Sequence, residues 1–380
     1  AGAMLNVDHT NTDSIEQADE ELLDSQVLKN GLHRIGKTFN NARHAFLSLS
    51  IPESNLNTIN GVQRYKYLQN IDVSGNNLTT LKALGSIRHL LKLNASNNRL
   101  RYMFDFEPPA NLEWVDYSGN QIISIQNVHA NQYLKYLYLD NNNISRVDGM
   151  DTNKCLKVLS LNGNQIQRIE NLPNLWIEEL FISANQLVQI ENLDTLPVLR
   201  TLDLSKNQIS KLIGLETIHS LKFLNLSLNN IRKINQLKFI ENLPLLTEVD
   251  FCVNPLQSCK FYRLQCLFHM PQLRMLDGVE ISSEEKVKAE NLHGYDIQDR
   301  EIIFKSLMPE ENFVDRRIST IDDVAPESDS DDGKLSHMHS PMSQEAVASS
   351  QNSVKAVETI AKQYVGELIS RVDFNVKDGQ

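Results

Sequence analysis

The residues with the clearest chemical pattern lie at 31–38, where GLHRIGKT matches the phosphate-binding loop GxxxxGK[ST]. In such a loop, backbone N–H groups hold the phosphates, Lys37 would reach the outer phosphate oxygens and the Thr38 hydroxyl would bind Mg²⁺. This chemistry requires a buried strand before the loop, but the preceding ELLDSQVLKN has helical spacing and several polar residues. The pattern therefore does not predict nucleotide binding.

No other group of residues has the spacing of a catalytic or metal site. The four cysteines lack CxxC spacing, and His337 and His339 have no further ligands at metal-binding spacing in the sequence. A nucleophile, a base and an orienting acid cannot be assembled from the sequence. We therefore predict a non-catalytic protein with no cofactor and no metal, in a reducing compartment.

The dominant feature of the chain is an internal repeat. One asparagine recurs every 22 residues, apart from one spacing of 21 and one of 25, at Asn76, Asn98, Asn120, Asn142, Asn164, Asn185, Asn207, Asn229 and Asn254. Ser54 has the equivalent place one period earlier. Apolar residues repeat at fixed offsets around each asparagine, so each repeat is predicted to form one short strand and one return segment. The buried amides are expected to form a hydrogen-bonded ladder.

These repeats follow the LxxLxLxxNxI pattern and predict an α/β leucine-rich-repeat solenoid, curved, with parallel strands on its concave face. Helical spacing of Leu28, Leu32, Ile35 and Phe39 predicts a capping helix before the repeats. Acid-rich segments with few aromatic residues are expected to be disordered. The predicted divisions are a disordered acidic segment at 1–24, a capping helix at 25–44, ten repeats at 45–258, a cap and helix at 259–308, a disordered acidic linker at 309–352 and an amphipathic helix at 353–374.

The concave face is the predicted partner-binding surface. Side chains at −6, −4 and −2 from each asparagine point away from the core, and Lys92 is the only base among them. The residues predicted to bind a partner are Trp114, Asp116, Tyr136, Tyr138, Asp140, Glu179, Phe181, Asp203, Phe223 and Asp250. Exposed rings beside carboxylates are typical of protein-binding hot spots, and an anionic surface argues against nucleic-acid phosphates. The alternative is that the rings pack against each other along the sheet.

The C-terminal segment has an apolar stripe with helical spacing. Its predicted docking residues are Val357, Ile360, Ala361, Tyr364, Val365, Leu368, Ile369 and Val372. The stripe resembles the A-kinase-anchoring helix, which binds the dimerisation domain of the regulatory subunit of cyclic-AMP-dependent kinase and related axonemal domains. Packing of this helix on its own solenoid, or self-association, is the alternative.

Short motifs nearby add three further candidates. Arg316-Arg317-Ile318-Ser319 looks like a site for the same kinase, with Ser319 as the acceptor. Ser328 and Ser330 lie in an acidic SDSDD run that favours phosphorylation. Arg371, Val372 and Phe374 look like a docking motif for protein phosphatase 1, and Val372 cannot serve this motif and the helical stripe at once.

The repeats resemble the SDS class of leucine-rich repeats, found in a regulatory subunit of protein phosphatase 1 and in axonemal proteins. The resemblance runs from Leu28 to Phe304, includes Pro108-Pro109-Ala110-Asn111-Leu112, and is closest to the leucine-rich-repeat and guanylate-kinase protein and radial-spoke relatives. It implies a ciliary or flagellar setting. No guanylate-kinase domain follows the repeats in this sequence, so we expect no nucleotide chemistry from the resemblance.

The composition sets the remaining expectations. The net charge of −11 is concentrated in the segments 1–24 and 309–352. No apolar run reaches the ~18 residues of a membrane span, so we expect a soluble cytoplasmic protein, at a cilium or flagellum axoneme. The predicted function is a scaffold that binds axonemal proteins or kinase-type dimerisation domains, without nucleic acid or membrane. The alternatives are a regulatory subunit of protein phosphatase 1 and a ribonucleoprotein component.

Overall fold

A computed structural model describes residues 26–37 and 44–291 of the chain. The chain divides into two compact units, the first ending at Ser282 and the second beginning at Ser283. Of the second unit, the described part is helix α3 (Ser283–Asn291), which has Glu284 and Glu285 in its first turn. Carboxylates in this position interact favourably with the unpaired N–H groups of a helix start.

The first unit is a parallel-strand solenoid. Its strands form one sheet in chain order: β1 (Leu32–Lys37), β2 (His44–Ser50), β3 (Asn70–Asp72), β4 (Lys92–Asn94), β5 (Trp114–Asp116), β6 (Tyr136–Tyr138), β7 (Val158–Ser160), β8 (Glu179–Phe181), β9 (Thr201–Asp203), β10 (Phe223–Asn225), β11 (Glu248–Asp250), β12 (Met275–Leu276) and β13 (Val279–Glu280). Strands β2 to β12 pair in parallel, and an antiparallel pair closes each end. Nine successive turns carry the repeated asparagine, one after each of β3 to β11.

The return segments are short and mostly irregular. Described 3-10 helices occur at Val62–Arg64, Lys82–Ser86, Val128–Ala130, Ile234–Phe239 and Pro255–Ser258. Two α-helices complete the first unit, α1 at residues 26–31 and α2 at Tyr262–His269. Each repeat is only 22 residues long, so the return segment is too short to hold a full helix.

The core is the column of apolar side chains that the repeat predicts. In the turn around Asn207, the apolar residues at −8, −5, −3, +2, +5 and +8 from the asparagine are all fully buried: Leu199, Leu202, Leu204, Ile209, Leu212 and Leu215. Only the middle residue of each three-residue strand points inward, as Leu202 does between Thr201 and Asp203. The predicted solenoid is therefore confirmed.

Asparagine amides connect neighbouring turns, as predicted. The Nδ2 atom of Asn142 donates to the carbonyl of Leu139 in its own turn at 3.1 Å and to that of Tyr117 in the preceding turn at 3.0 Å. Its Oδ1 atom accepts the backbone N–H of Ile122 at 2.9 Å. Each buried amide thus satisfies backbone groups that would otherwise be unpaired in the interior.

The prediction of a capping helix over residues 25–44 is wrong for the described residues 32–37 and 44, which lie on strands. Leu28 is buried on helix α1, but β1 begins at Leu32 and pairs antiparallel with β2. Ile35, predicted to face the core, is 64% exposed. The physical reason is the edge of the sheet: β2 would present unpaired N–H and C=O groups, and an antiparallel strand satisfies them.

The hairpin of β1 and β2 also contains most of the sequence that matches a phosphate-binding loop. Its positions from Leu32 to Lys37 form β1, whose backbone pairs with β2. A phosphate-binding loop requires N–H groups that converge on the ligand, whereas these alternate in direction along a strand. The pattern in this chain is therefore a strand-forming sequence and not a nucleotide site.

Removing one amide of the ladder is expected to destabilise the solenoid strongly. Asn142→Ala leaves the Ile122 N–H without its acceptor and removes one of the two amide donors of the Tyr117 and Leu139 carbonyls, which keep Asn120 and Asn164. Each unsatisfied buried group costs about 1–3 kcal/mol, and we expect a total loss of about 2–4 kcal/mol in unfolding free energy. Urea denaturation measures this loss.

The matched control is Asn143→Ala, which changes the same residue type at the adjacent exposed position. It should alter the unfolding free energy by less than about 0.5 kcal/mol. Equal effects of the two substitutions would contradict a structural role for the buried amides.

Candidate functional site

The concave face consists of the first and third residues of strands β3 to β11 and the second residue after each strand. These side chains alternate with the inward middle residue, as Trp114 and Asp116 do on either side of Val115. All ten residues predicted to bind a partner lie on this face. The sheet thus brings together side chains that are separated by up to 136 positions, from Trp114 to Asp250.

The expectation that the aromatic residues of this face are exposed is wrong for three of them. Trp114 is only 4% exposed, Tyr138 7% and Phe181 9%. One cause is packing between adjacent strands, because the rings of Trp114 and Tyr138 lie 5.8 Å apart at an angle of 51°. Such diagonal contacts between neighbouring strands are within reach of large rings. Tyr136 and Phe223 remain half-buried.

The acidic residues of the face have a structural role that the sequence reasoning missed. The carboxylate of Asp116 accepts the N–H of Ser118 at 2.8 Å, and that of Asp203 accepts the N–H of Ser205 at 2.9 Å. The sequence signal for this role is a polar residue at the end of a strand with a second polar residue two positions later. Asn225 occupies the same column and accepts from Ser227 in the same way at 3.0 Å. Aspartate and asparagine are therefore interchangeable in this hydrogen bond.

Asp140 departs from this pattern because Tyr138 occupies the usual acidic position in its turn. Its Oδ1 atom accepts hydrogen bonds from the next turn, from the Ser160 hydroxyl at 2.5 Å and from the N–H of Asn162 at 2.7 Å. Asp140 thus joins two turns of the solenoid through its side chain. Asp250 is buried at the end of β11 and accepts the N–H of Cys252 at 2.7 Å.

Burial makes these carboxylates harder to ionise. It raises the pKa of Asp116, Asp203 and Asp250, and nearby acids raise each pKa further. Burial, aided by the charges of Asp116 and Asp203, raises the pKa of Asp140 to about 6. Glu179 is half-buried on the same face. On the described face, desolvation and mutual repulsion therefore both oppose ionisation of these acids.

One group of described residues has donor atoms close enough to consider for a metal ion. Ligand atoms of Asp250, Cys252 and Asp277 lie within 4.8 Å of one another. Asp277 already accepts the N–H of Phe251 at 2.8 Å and the hydroxyl of Tyr262 at 3.0 Å. Burial and the two carboxylates raise the pKa of the Cys252 thiol, which favours its protonated form. This corner is a hydrogen-bonded closure of β11 onto the cap, and we assign no metal to it.

A second set of candidate residues was missed because it lies outside the predicted columns. A buried leucine or isoleucine precedes each of the strands β3 to β11. The residues immediately before these buried positions form a column at the strand-start edge of the sheet, which we call the rim column. Its exposed apolar members are Tyr67, Tyr133, Trp176 and Leu245. The available signal was an apolar side chain beside a position already assigned to the core.

The candidates of the C-terminal region lie outside the described residues. They are the docking stripe Val357, Ile360, Ala361, Tyr364, Val365, Leu368, Ile369 and Val372, the phosphatase motif with Arg371 and Phe374, and the phosphorylation candidates Ser319, Ser328 and Ser330. None of the described helices is long and apolar enough to cross a membrane.

The pKa of Asp140 makes the stability of the solenoid depend on pH. Because its folded pKa is raised to about 6, its contribution to stability is full below about pH 4 and is lost as the pH rises through 6. Asp140→Asn keeps the acceptor oxygen and removes the titration. We expect the variant to be more stable than the wild type at about pH 7.5, by on the order of 1–3 kcal/mol, and this gain to shrink at about pH 5.

Melting temperatures of the two proteins at both pH values measure this difference. Asp151→Asn, at an exposed position in a return segment, is the control and should show no such pH-dependent gain. A gain from Asp140→Asn that is equal at both pH values would contradict the assignment.

Comparison with known proteins agrees with this geometry. Residues 177–300 match the family described as "Leucine-rich repeat", and residues 134–174 match "Leucine Rich repeats (2 copies)". Comparison with curated proteins finds no match.

Several solved structures are similar to parts of the chain. Internalin C2 of Listeria monocytogenes is 26% identical, with a TM-score of 0.45, and the match covers 47% of this chain and 80% of that one. The leucine-rich-repeat protein LIC12759 of Leptospira interrogans is 23% identical, with a TM-score of 0.44, over 65% of this chain and 72% of that one. The Drosophila melanogaster SNF/U2A' complex contains a chain that is 26% identical, with a TM-score of 0.32, over 37% of this chain and 83% of that one. The turns over residues 134–174 and 177–300 thus match leucine-rich repeats.

Proposed function

We propose that the chain is a non-catalytic protein-binding scaffold whose concave face docks a partner segment rich in basic side chains. The observation that supports this is the charge of that face. Its three columns carry seven acids, Asp72, Asp116, Asp140, Glu179, Asp203, Glu248 and Asp250, and a single base, Lys92. Burial lowers the pKa of Lys92, whereas the nearby Glu113 raises it.

The electrostatics favour a cationic ligand over an anionic one. A partner ammonium or guanidinium group near Asp116 and Asp203 would stabilise their ionised forms, which burial disfavours in the free protein. Opposite charge also speeds encounter and selects among partners. A nucleic-acid phosphate would meet repulsion on this face. The ribonucleoprotein alternative is therefore not supported by this surface.

The half-buried rings supply the apolar part of the contact. Tyr136 lies in register beside Trp114, and Phe223 lies in register with Glu248. A ring already held by its neighbours loses little side-chain entropy on binding, which favours its use as an anchor. The buried Trp114 and Phe181 would support this surface from below and would not form the contact themselves.

The setting we propose is the axoneme of a cilium or flagellum, and this rests on the resemblance of the repeats. The C-terminal segment 353–374 is proposed as a second docking element, for a dimerisation domain of the kinase-regulatory type. Regulation of protein phosphatase 1, through the solenoid or through Arg371 to Phe374, is the alternative. These assignments predict different partners and can be separated by experiment.

The concave face is tested by removing charge without removing hydrogen bonds. Asp116→Asn combined with Asp203→Asn preserves the acceptor oxygens, as Asn225 shows in the same column. We expect the double variant to lose at least about tenfold in affinity for the principal partner purified from ciliated cells, and to melt no lower than the wild type.

The matched control is Asp151→Asn combined with Asp194→Asn, which removes the same charge from exposed positions in return segments. It should retain the partner. Equal retention of the partner by both double variants would reject the concave face as the docking surface.

The C-terminal proposal is tested by deleting residues 353–380. The truncated protein should keep the partner of the concave face and lose a second set of proteins that contains kinase-type dimerisation domains. Arg371→Ala combined with Phe374→Ala, in the full chain, should retain that set and lose only phosphatase. Recovery of identical proteins by all three forms would show that the segment recruits nothing.

A further inference from the structure

Three members of the rim column form a distinct surface at the start of strands β6, β7 and β8. Tyr133, Cys155 and Trp176 each lie three residues before the first residue of its strand, and those first residues pair in register. Backbone hydrogen bonds of 2.8 Å hold these turns together, from Lys157 N–H to the Lys135 carbonyl and from Glu178 N–H to the Lys157 carbonyl. The three side chains therefore occupy equivalent places on successive turns.

The two rings are exposed although the fold does not require it. Trp176 is 58% exposed and Tyr133 is 55% exposed. The next residues in the chain, Leu134 and Ile177, are fully buried and carry the core of these turns. Exposed tryptophan and tyrosine side chains in one strip are the residues most enriched at binding hot spots.

The order of large, small and large side chains creates a notch. Cys155 is exposed between the two rings, and its short side chain leaves a gap one turn wide. Adjacent parallel strands lie about 4.8 Å apart, so two turns separate the backbone positions that carry the rings by about 9.6 Å. A polyproline II helix repeats every three residues, at about 9.3 Å. The two aromatic walls therefore match the repeat of a proline-rich segment.

The carboxylates beside the notch are paired with bases, and the ammonium group of Lys154, next to Cys155, donates to the Pro173 carbonyl at 2.9 Å. Lys135 lies 2.9 Å from Glu113, and Glu178 lies between Lys157 at 3.2 Å and Arg200 at 3.3 Å. A basic or acidic ligand gains little from groups that already have partners. The local electrostatics thus favour an apolar ligand without net charge.

We propose that the notch of Tyr133, Cys155 and Trp176 binds a proline-rich, polyproline II segment of a partner protein. Proline rings three residues apart would contact the two aromatic side chains, with an intervening ring seated over Cys155. Because polyproline II is already extended before binding, it loses little conformational entropy in a shallow site. This site is separate from the concave face and does not rest on its proposed function.

The test is titration of the full chain with fluorescein-labelled decaproline, with a Gly-Ser decamer as the control peptide. Anisotropy should show saturable binding of decaproline alone. The chain has two tryptophans, and only Trp176 is exposed, so its emission should shift to shorter wavelength on binding. Trp176→Ala and Tyr133→Ala should each weaken binding at least about tenfold.

Two further variants control for surface apolarity and for the notch itself. Tyr102→Ala removes a ring of similar exposure at another place and should leave the affinity unchanged. Cys155→Phe keeps both walls but fills the gap, and should abolish binding without a change in melting temperature. The Asp116→Asn and Asp203→Asn double variant should bind decaproline as the wild type does, so that failure of one site is distinguishable from failure of the other.

The proposal is overturned if decaproline does not bind saturably or if Trp176→Ala retains wild-type affinity. It is also overturned if sedimentation shows a dimer that Trp176→Ala dissolves while the peptide has no effect, because the strip would then contact a second copy of this chain.

Discussion

The repeated asparagine amide is the interaction on which the rest of the structure depends. Without it, backbone N–H and C=O groups near the strand ends would be buried with no partner. Apolar packing does not offset the free-energy cost of each such unpaired group. Because the amide of Asn142 bonds to its own turn and to the one before, each turn is completed only by its neighbour. The solenoid is therefore cooperative along its length, and its ends require different solutions. Those solutions are the antiparallel pairs β1–β2 and β12–β13.

The same geometry leads to a conflict on the concave face. Several three-residue strands end in a side chain that accepts an N–H bond, and the acids of the face serve that purpose for Ser118 and Ser205. A carboxylate in this place is partly desolvated, which raises its pKa, whereas Asn225 makes the same bond without charge. The aspartates at these strand ends, such as Asp116 and Asp203, thus cost stability at neutral pH that asparagine would not cost. Such a loss of stability is expected where the negative charge of the concave face serves binding as well as folding.

The local sequence pattern predicts the features of the fold that depend on one turn alone. The offsets around Asn207 predict which side chains are buried, because a strand has a period of two and the return has fixed apolar positions. Features that depend on a neighbouring turn could not be predicted in this way. Leu32 and Ile35 have helical spacing, yet the unpaired edge of β2 draws them into a strand. Trp114 was expected to be exposed, and its contact with Tyr138 depends on how rings of two turns lie against each other.

The exposure of aromatic side chains differs between the concave face and the rim column. On the concave face, rings stand on strands about 4.8 Å apart and can cover one another, so a large side chain there does not by itself make an exposed surface. On the rim column, the chain has just left the return segment, and Trp176 projects beside the buried Ile177 rather than over a neighbouring ring. The charges differ in the same way, predominantly acidic on the face and paired with the opposite sign beside the rim, as at Lys135 and Glu113. A single repeat pattern thus produces two surfaces with different chemistry, and each fits a ligand that the other would not select.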